Sequence, residues 1–160
     1  MRLAPLIALA LIAAAVAGCG GDGGDDDASV PGGADPEAVE VIEGWADDLR
    51  AGDIDAAADR WEIPAVAQNG TPPLDLDSRE DVIAFNESLP CGAELVHAEK
   101  QGEFTVATFE LTERPGEGQC GPGTGETART AFVIEDGKIA EWRRATDEAP
   151  LEPPVEGPVV

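Results

Sequence analysis

The stretch Leu49-Arg50-Ala51-Gly52-Asp53-Ile54-Asp55-Ala56-Ala57 encodes a chain reversal in local chemistry. Leu49 closes an apolar series, Val41, Ile42, Trp45 and Leu49, with Ala38 one turn earlier, spaced as one face of a helix. Gly52 can take the left-handed conformation that ends a helix, and Asp53 offers a carboxylate to cap the next one. Upstream, Asp35 and Pro36 supply a cap and a first-turn proline. The first helix is therefore predicted from Pro36 to Ala51, and a second, alanine-rich helix from Ile54 to Trp61.

Downstream, Ile63 to Gln68 reads as a short strand interrupted by Pro64, which predicts an edge position. Asn69-Gly70 is a turn, and Thr71 to Asp77 a proline-bearing loop. Ser78 or Asp77 caps a third helix. Glu80 and Asp81 favour its first turn, Val82, Phe85 and Leu89 form its apolar stripe, and Pro90 stops it. The period then changes to two. Ala93 to Lys100 and Glu103 to Thr112 are predicted strands joined at Gln101-Gly102. A Gly- and Pro-rich loop runs from Glu113 to Gly125. Thr127 to Glu135 and Lys138 to Arg144 flank Asp136-Gly137, a turn that demands positive φ. Helices followed by strands give an α+β domain, with three N-terminal helices packed on one face of a curved antiparallel sheet.

The flanks have different compositions. Arg2 precedes an apolar run from Leu3 to Ala17, shorter than the roughly 20 residues of a membrane span. The run ends Val16-Ala17-Gly18-Cys19, which resembles the bacterial lipobox. That resemblance implies cleavage after a signal peptide of residues 1–18 and lipidation of Cys19 by acyl chains such as palmitate. It also implies a protein exported and held on the cell membrane, facing outside the cytoplasm. Residues 19–34 read as a flexible acidic Gly/Asp tether, 35–146 as the folded domain, and 147–160 as a disordered Pro/Glu-rich tail.

Of the 160 residues, 33 are acidic and 10 basic, a net charge of -23. This excess argues against nucleic-acid binding, which needs clustered Lys and Arg, and against the domain lying flat on an anionic bilayer. No EF-hand-like loop occurs, Asp25-Asp26-Asp27 sits in a glycine run, and neither a metal site nor a cofactor is read. Besides Cys19, Cys91 and Cys120 remain, and on the oxidising side of a membrane they are expected to bridge. Such a bridge contributes about 3 to 4 kcal/mol in the chain-entropy model. The competing readings are a reactive thiol or a metal pair, the latter poorly supplied by a single histidine.

The opening Leu49–Ala57 segment resembles the "L-x-x-G-D-x-D-A" start of the SnoaL-like, nuclear-transport-factor-2-like superfamily. The segment Phe132-Val133-Ile134-Glu135-Asp136-Gly137-Lys138-Ile139, with Trp142 following, resembles that family's closing "F-x-x-x-D-G-K-I-x-x-W" strands. The resemblance spans Pro36 to about Arg144 and implies a sheet curled into a cone around a pocket. Members use the cone for isomerase, dehydratase or cyclase chemistry, for non-catalytic binding, or as a dimer surface, so fold alone selects no function.

An isomerase-like site needs a carboxylate base and an acid or phenol, but the chain has no tyrosine and no carboxylate that spacing singles out. A dehydratase-like site needs histidine, and His97 is the sole candidate; alternation places it on the face of Ala93 and Leu95. Trp45, Trp61, Phe85, Phe109 and Trp142 are candidate pocket-lining aromatics, with core filling as the competing role. Arg143 and Arg144 stand out in an acidic chain, as partners of surface carboxylates or as the hold on an acidic ligand group at the cone mouth. The expected function is a non-catalytic envelope module for a small, mostly apolar ligand or an envelope protein. The alternatives are a cofactor-free isomerase or dehydratase, and a scaffolding homodimer.

Overall fold

A computed structural model of the chain describes residues 33–146, with 71 and 117 excepted. The expected lipidation site Cys19, the expected signal peptide, the expected tether up to residue 32 and the expected tail from residue 147 lie outside the described residues.

Helix α1 runs Pro36–Ala51. Asp35 Oδ1 accepts from the Glu37 N–H at 2.8 Å, and Gly52 closes the helix at φ 78°. Helix α2, Ile54–Asp59, is capped by Asp53, whose Oδ1 accepts from the Ala56 N–H at 3.0 Å. It is shorter than expected, because Trp61 opens strand β1, Trp61–Gln68, instead of ending the helix. The sheet has already captured the chain there: the Arg60 carbonyl accepts from the Ile139 N–H at 2.9 Å. Strand β2, Leu74–Leu76, lies in the segment expected to be loop. Helix α3, Arg79–Ser88, begins with a reciprocal Ser78/Asp81 capping box. Strands β3, Gly92–Gln101, β4, Phe104–Thr112, β5, Thr127–Glu135, and β6, Lys138–Ala145, follow. Among the described residues, no helix is long and apolar enough to cross a membrane.

The six strands form one curved, unclosed sheet in the order β2-β1-β6-β5-β4-β3. The α+β architecture with three helices on one face is present. The sheet is antiparallel at every pairing but one, since β1 and β6 run parallel. Because β2 takes the edge, β1 is an inner strand despite Pro64. That residue falls in the irregular stretch between Trp61 and Val66, where the β1–β6 ladder is broken and the missing N–H costs nothing.

The helix-facing side holds the main core, with Ile42, Trp45, Leu49, Trp61, Val82, Phe85, Phe109, Phe132 and Trp142 all buried. Their rings meet edge to face: Trp45 on Phe132 at 5.6 Å, Trp61 on Phe85 at 5.4 Å, and Phe85 on Trp142 at 5.2 Å. On the other face Phe104, Val106 and Ala131 form a smaller buried cluster.

Candidate functional site

At one end of the sheet the helix-facing side opens into a cavity of about 270 Å³. Helix α1 contributes Trp45 and Leu49, the turn after α3 contributes Leu89, Pro90 and Cys91, and β3 contributes Ala93. Strand β4 adds Phe109 and Leu111, β5 adds Ala128, Arg129 and Thr130, and β6 adds Trp142 and Arg144, with Asn69 after β1. Strand pairing explains the convergence. Phe132 faces Trp142, Thr130 faces Arg144, and Ala67 faces Trp142, so β1, β5 and β6 present these positions on one side. The floor is apolar; the mouth is framed by exposed Asn69, Pro90 and Arg144.

Among the described residues the lining contains no aspartate, glutamate or histidine. In a chain with 33 acidic residues this exclusion is informative. Among the described residues, Glu141 is the one buried carboxylate, and it sits on the opposite face in an ion pair with Arg143. The Arg143 guanidinium also lies 5.2 Å from the centre of the Phe104 ring. The two neighbouring arginines of the sequence are thus divided between the two faces of the sheet.

His97 is on that opposite face as well. The β3–β4 register slips between Leu95, which faces Phe109, and His97, which faces Thr108. Val96 is the extra residue, 62% exposed, and it turns every later side chain of β3 over. His97 is exposed and shares no face with Ala93 and Leu95, contrary to the simple alternation of the sequence. Trp45, Phe109 and Trp142 are brought together in the cavity wall, whereas Trp61 and Phe85 pack in the core behind it.

Cys91 and Cys120 form a disulfide across a sequence separation of 29. The bridge ties the Pro90–Cys91 lip of the cavity to the loop between β4 and β5. Arg114 holds the same lip from inside: its guanidinium donates to the carbonyls of Asn86, Glu87 and Leu89, the last at 2.6 Å. These groups close the C-terminal end of α3, where carbonyls lack helical partners.

Two indole donors behave differently. Trp45 Nε1 donates to Asn86 Oδ1, while the Trp142 Nε1 is buried without a partner, as is Asn86 Nδ2. Asn86 was missed by the sequence reading. Its signal was available: it stands four residues after Val82 on the apolar stripe of α3. Asn69, Pro90 and Cys91 enter the wall from turns, which helical and strand periodicity do not cover.

A second cavity, about 320 Å³, lies at the other end of the sheet between the start of α1 and two hairpin turns. It is lined by Asp35, Glu37, Glu103, Asp136 and Lys100, with Asp35 already engaged as a helix cap.

No family model matches the sequence, and no curated protein matches it. Solved structures do match the fold. An NTF2-like protein of unknown function from Cytophaga hutchinsonii superposes with a TM-score of 0.53 at 12% identity, over 68% of this chain and 88% of that one. A protein described as a candidate ketosteroid isomerase from Kribbella flavida gives 0.50 at 15% identity, over 74% and 83% of the two chains. A de novo designed protein with a curved β-sheet gives 0.53 at 17% identity, over 72% and 88%.

Proposed function

We propose that this domain, which has the nuclear-transport-factor-2-like fold, is a non-catalytic binding module for a small, mostly apolar molecule, carried on an exported lipoprotein anchored through Cys19. The observation that carries this reading is the composition of the cavity wall. Trp45, Leu49, Leu89, Phe109, Leu111 and Trp142 surround about 270 Å³, and no carboxylate or imidazole is among the described lining residues. General acid–base catalysis needs a titrating group within hydrogen-bond reach of the substrate. An isomerase or dehydratase of the cofactor-free kind would need that pair here. The candidate ketosteroid isomerase among the fold neighbours supports a shared scaffold and, at 15% identity, nothing about chemistry.

The cavity's volume, about 270 Å³, is near the lower end of small-ligand sites.

Native mass spectrometry of the full chain, purified without denaturation, tests the reading. A reproducible non-covalent mass that leaves on unfolding is the expected result. A bare protein that also takes up no apolar probe would overturn it. For the anchor, a Cys19→Ser variant is expected to leave the detergent phase in phase partitioning, and unchanged partitioning would remove the lipid from the account.

A further inference from the structure

We infer that the ligand of this cavity is an amphipathic carboxylate, with its apolar body in the aromatic wall and its acid group held at the mouth by Arg144. This rests on the binding reading above and narrows it to one chemical class.

The argument begins with the arginines. Arg50, Arg60, Arg79, Arg129 and Arg143 each pair with a carboxylate. Arg114 is bound to backbone carbonyls, and the Lys100 and Lys138 ammonium groups donate to the carbonyls of Glu103 and Asp59. Arg144 is the one described basic side chain with neither an ion pair nor a hydrogen bond, in a chain where acidic residues outnumber basic ones 33 to 10. In such a chain a guanidinium meets a carboxylate almost wherever it stands. The place where Arg144 stands is a cavity wall with no carboxylate among its described lining residues.

The surroundings suit an oxygen acid. A guanidinium presents paired donors that match a carboxylate edge. Thr130 lies directly across the ladder from Arg144, and Asn69 follows the residue that pairs with Arg143, so two neutral hydrogen-bonding side chains flank the charge. Trp142 is two residues before Arg144 on β6 and on the same face, about 7 Å deeper along the strand. Beyond it the wall is aromatic and aliphatic. This places charge at the solvent end and apolar area at the closed end, the polarity of a short-chain or single-ring carboxylic acid.

The test is a paired titration of the full chain in non-ionic detergent, with micelles alone as the blank, followed by tryptophan fluorescence. The probes are phenylbutyrate and phenylbutanol, which share a body and differ in the acid group. Phenylbutyrate is expected to bind about tenfold more tightly, in the range of one charge-assisted hydrogen-bonded pair. Arg144→Gln is expected to bring the two probes within about twofold, and Arg144→Lys to keep part of the preference. Equal binding of both probes to the unaltered chain would overturn the carboxylate inference and leave the apolar-pocket reading standing. A preference that survives Arg144→Gln would also overturn it. Binding of neither probe would overturn both.

Discussion

Trp45 Nε1 donates to Asn86 Oδ1 at 3.1 Å, and both side chains are buried, which joins α1 to α3 behind the cavity. The bond is unusual in its setting, since Asn86 is fully buried and its Nδ2 has no partner. Its removal leaves an indole donor without an acceptor in an apolar core, a cost of about 1 to 3 kcal/mol. Asn86→Leu is therefore expected to lower stability by about that amount. In Trp45→Phe/Asn86→Leu neither partner is left stranded, so the double variant is expected to lose less than the sum of the single changes. Urea midpoints of the four proteins check this, and strict additivity would show that the bond contributes nothing specific.

The Cys91–Cys120 bridge closes a long loop, and opening it restores chain entropy to the unfolded state. Cys91→Ser/Cys120→Ser is expected to lose about 3 to 4 kcal/mol. Because Cys91 lines the cavity, the same variant is expected to weaken ligand uptake at temperatures where it is still folded. Denaturant midpoints with and without reductant check the stability loss, since the unaltered chain should fall to the level of the variant only when reduced, and probe titration of the folded variant checks the uptake.

The loop closed by that bridge carries an acid-sensitive contact. The Glu113 carboxyl is held below the usual glutamate range, first by the Thr124 hydroxyl and then by the Gly121 N–H, with the Cys120 N–H adding and desolvation opposing. Its Oε1 lies 2.9 Å from Thr124 Oγ1 and 3.0 Å from the Gly121 nitrogen. On acidification the unfolded chain takes up this proton before the folded one does. The contact is thus fully present above the ordinary glutamate range, near pH ~4.3, and is lost as pH falls through the lower folded value. Protection of the Gly121 amide, its exchange rate relative to the intrinsic rate at each pH, is expected to fall in that acid window and to show no such step in Glu113→Gln. A step that persists in Glu113→Gln would assign it to another group.

Much of the fold is written in short-range chemistry. Asp35, Asp53 and Ser78 cap the helices they precede, and Asp136-Gly137 takes positive φ at both residues, 47° and 72°. These signals act within four residues, so a sequence shows them directly. What it did not show is set by partners far along the chain. Strand β2 has three residues and exists because β1 offers it an edge. The parallel pairing of β1 and β6 joins segments some seventy positions apart, as in Ala67 with Trp142. The site divides in the same way. Trp45, Phe109 and Trp142 were legible as large aromatics on regular elements, and all three reach the cavity. Val96 was not legible as a bulge, and that one residue moved His97 to the other face. Arg143 and Arg144 were one cluster in the sequence, and strand alternation split them into a buried structural pair and a mouth residue.

Gly92 is where the lip of the cavity is brought against α1. A Cβ there would lie 2.8 Å from Thr112 Oγ1, 3.1 Å from Arg50 Cα and 3.3 Å from Arg114 Cβ. The second of these is helix backbone, which cannot rotate away, so Gly92→Ala is expected to push α1 and β3 apart and to lose about 1 to 3 kcal/mol. The backbone of Gly92 is not in the left-handed region, so the loss is one of space and not of conformation. Adding Thr112→Ala removes the shortest contact and is expected to restore part of the loss, but not the part due to Arg50. Leu49 and Ala93, the neighbours of Arg50 and Gly92, both line the cavity, and a wider gap between α1 and β3 changes its width. Gly92→Ala is therefore expected to weaken phenylbutanol binding as well as stability. Urea midpoints and the probe titration check the two effects together; a fully stable Gly92→Ala with unchanged probe binding would show that α1 does not set the width of this cavity.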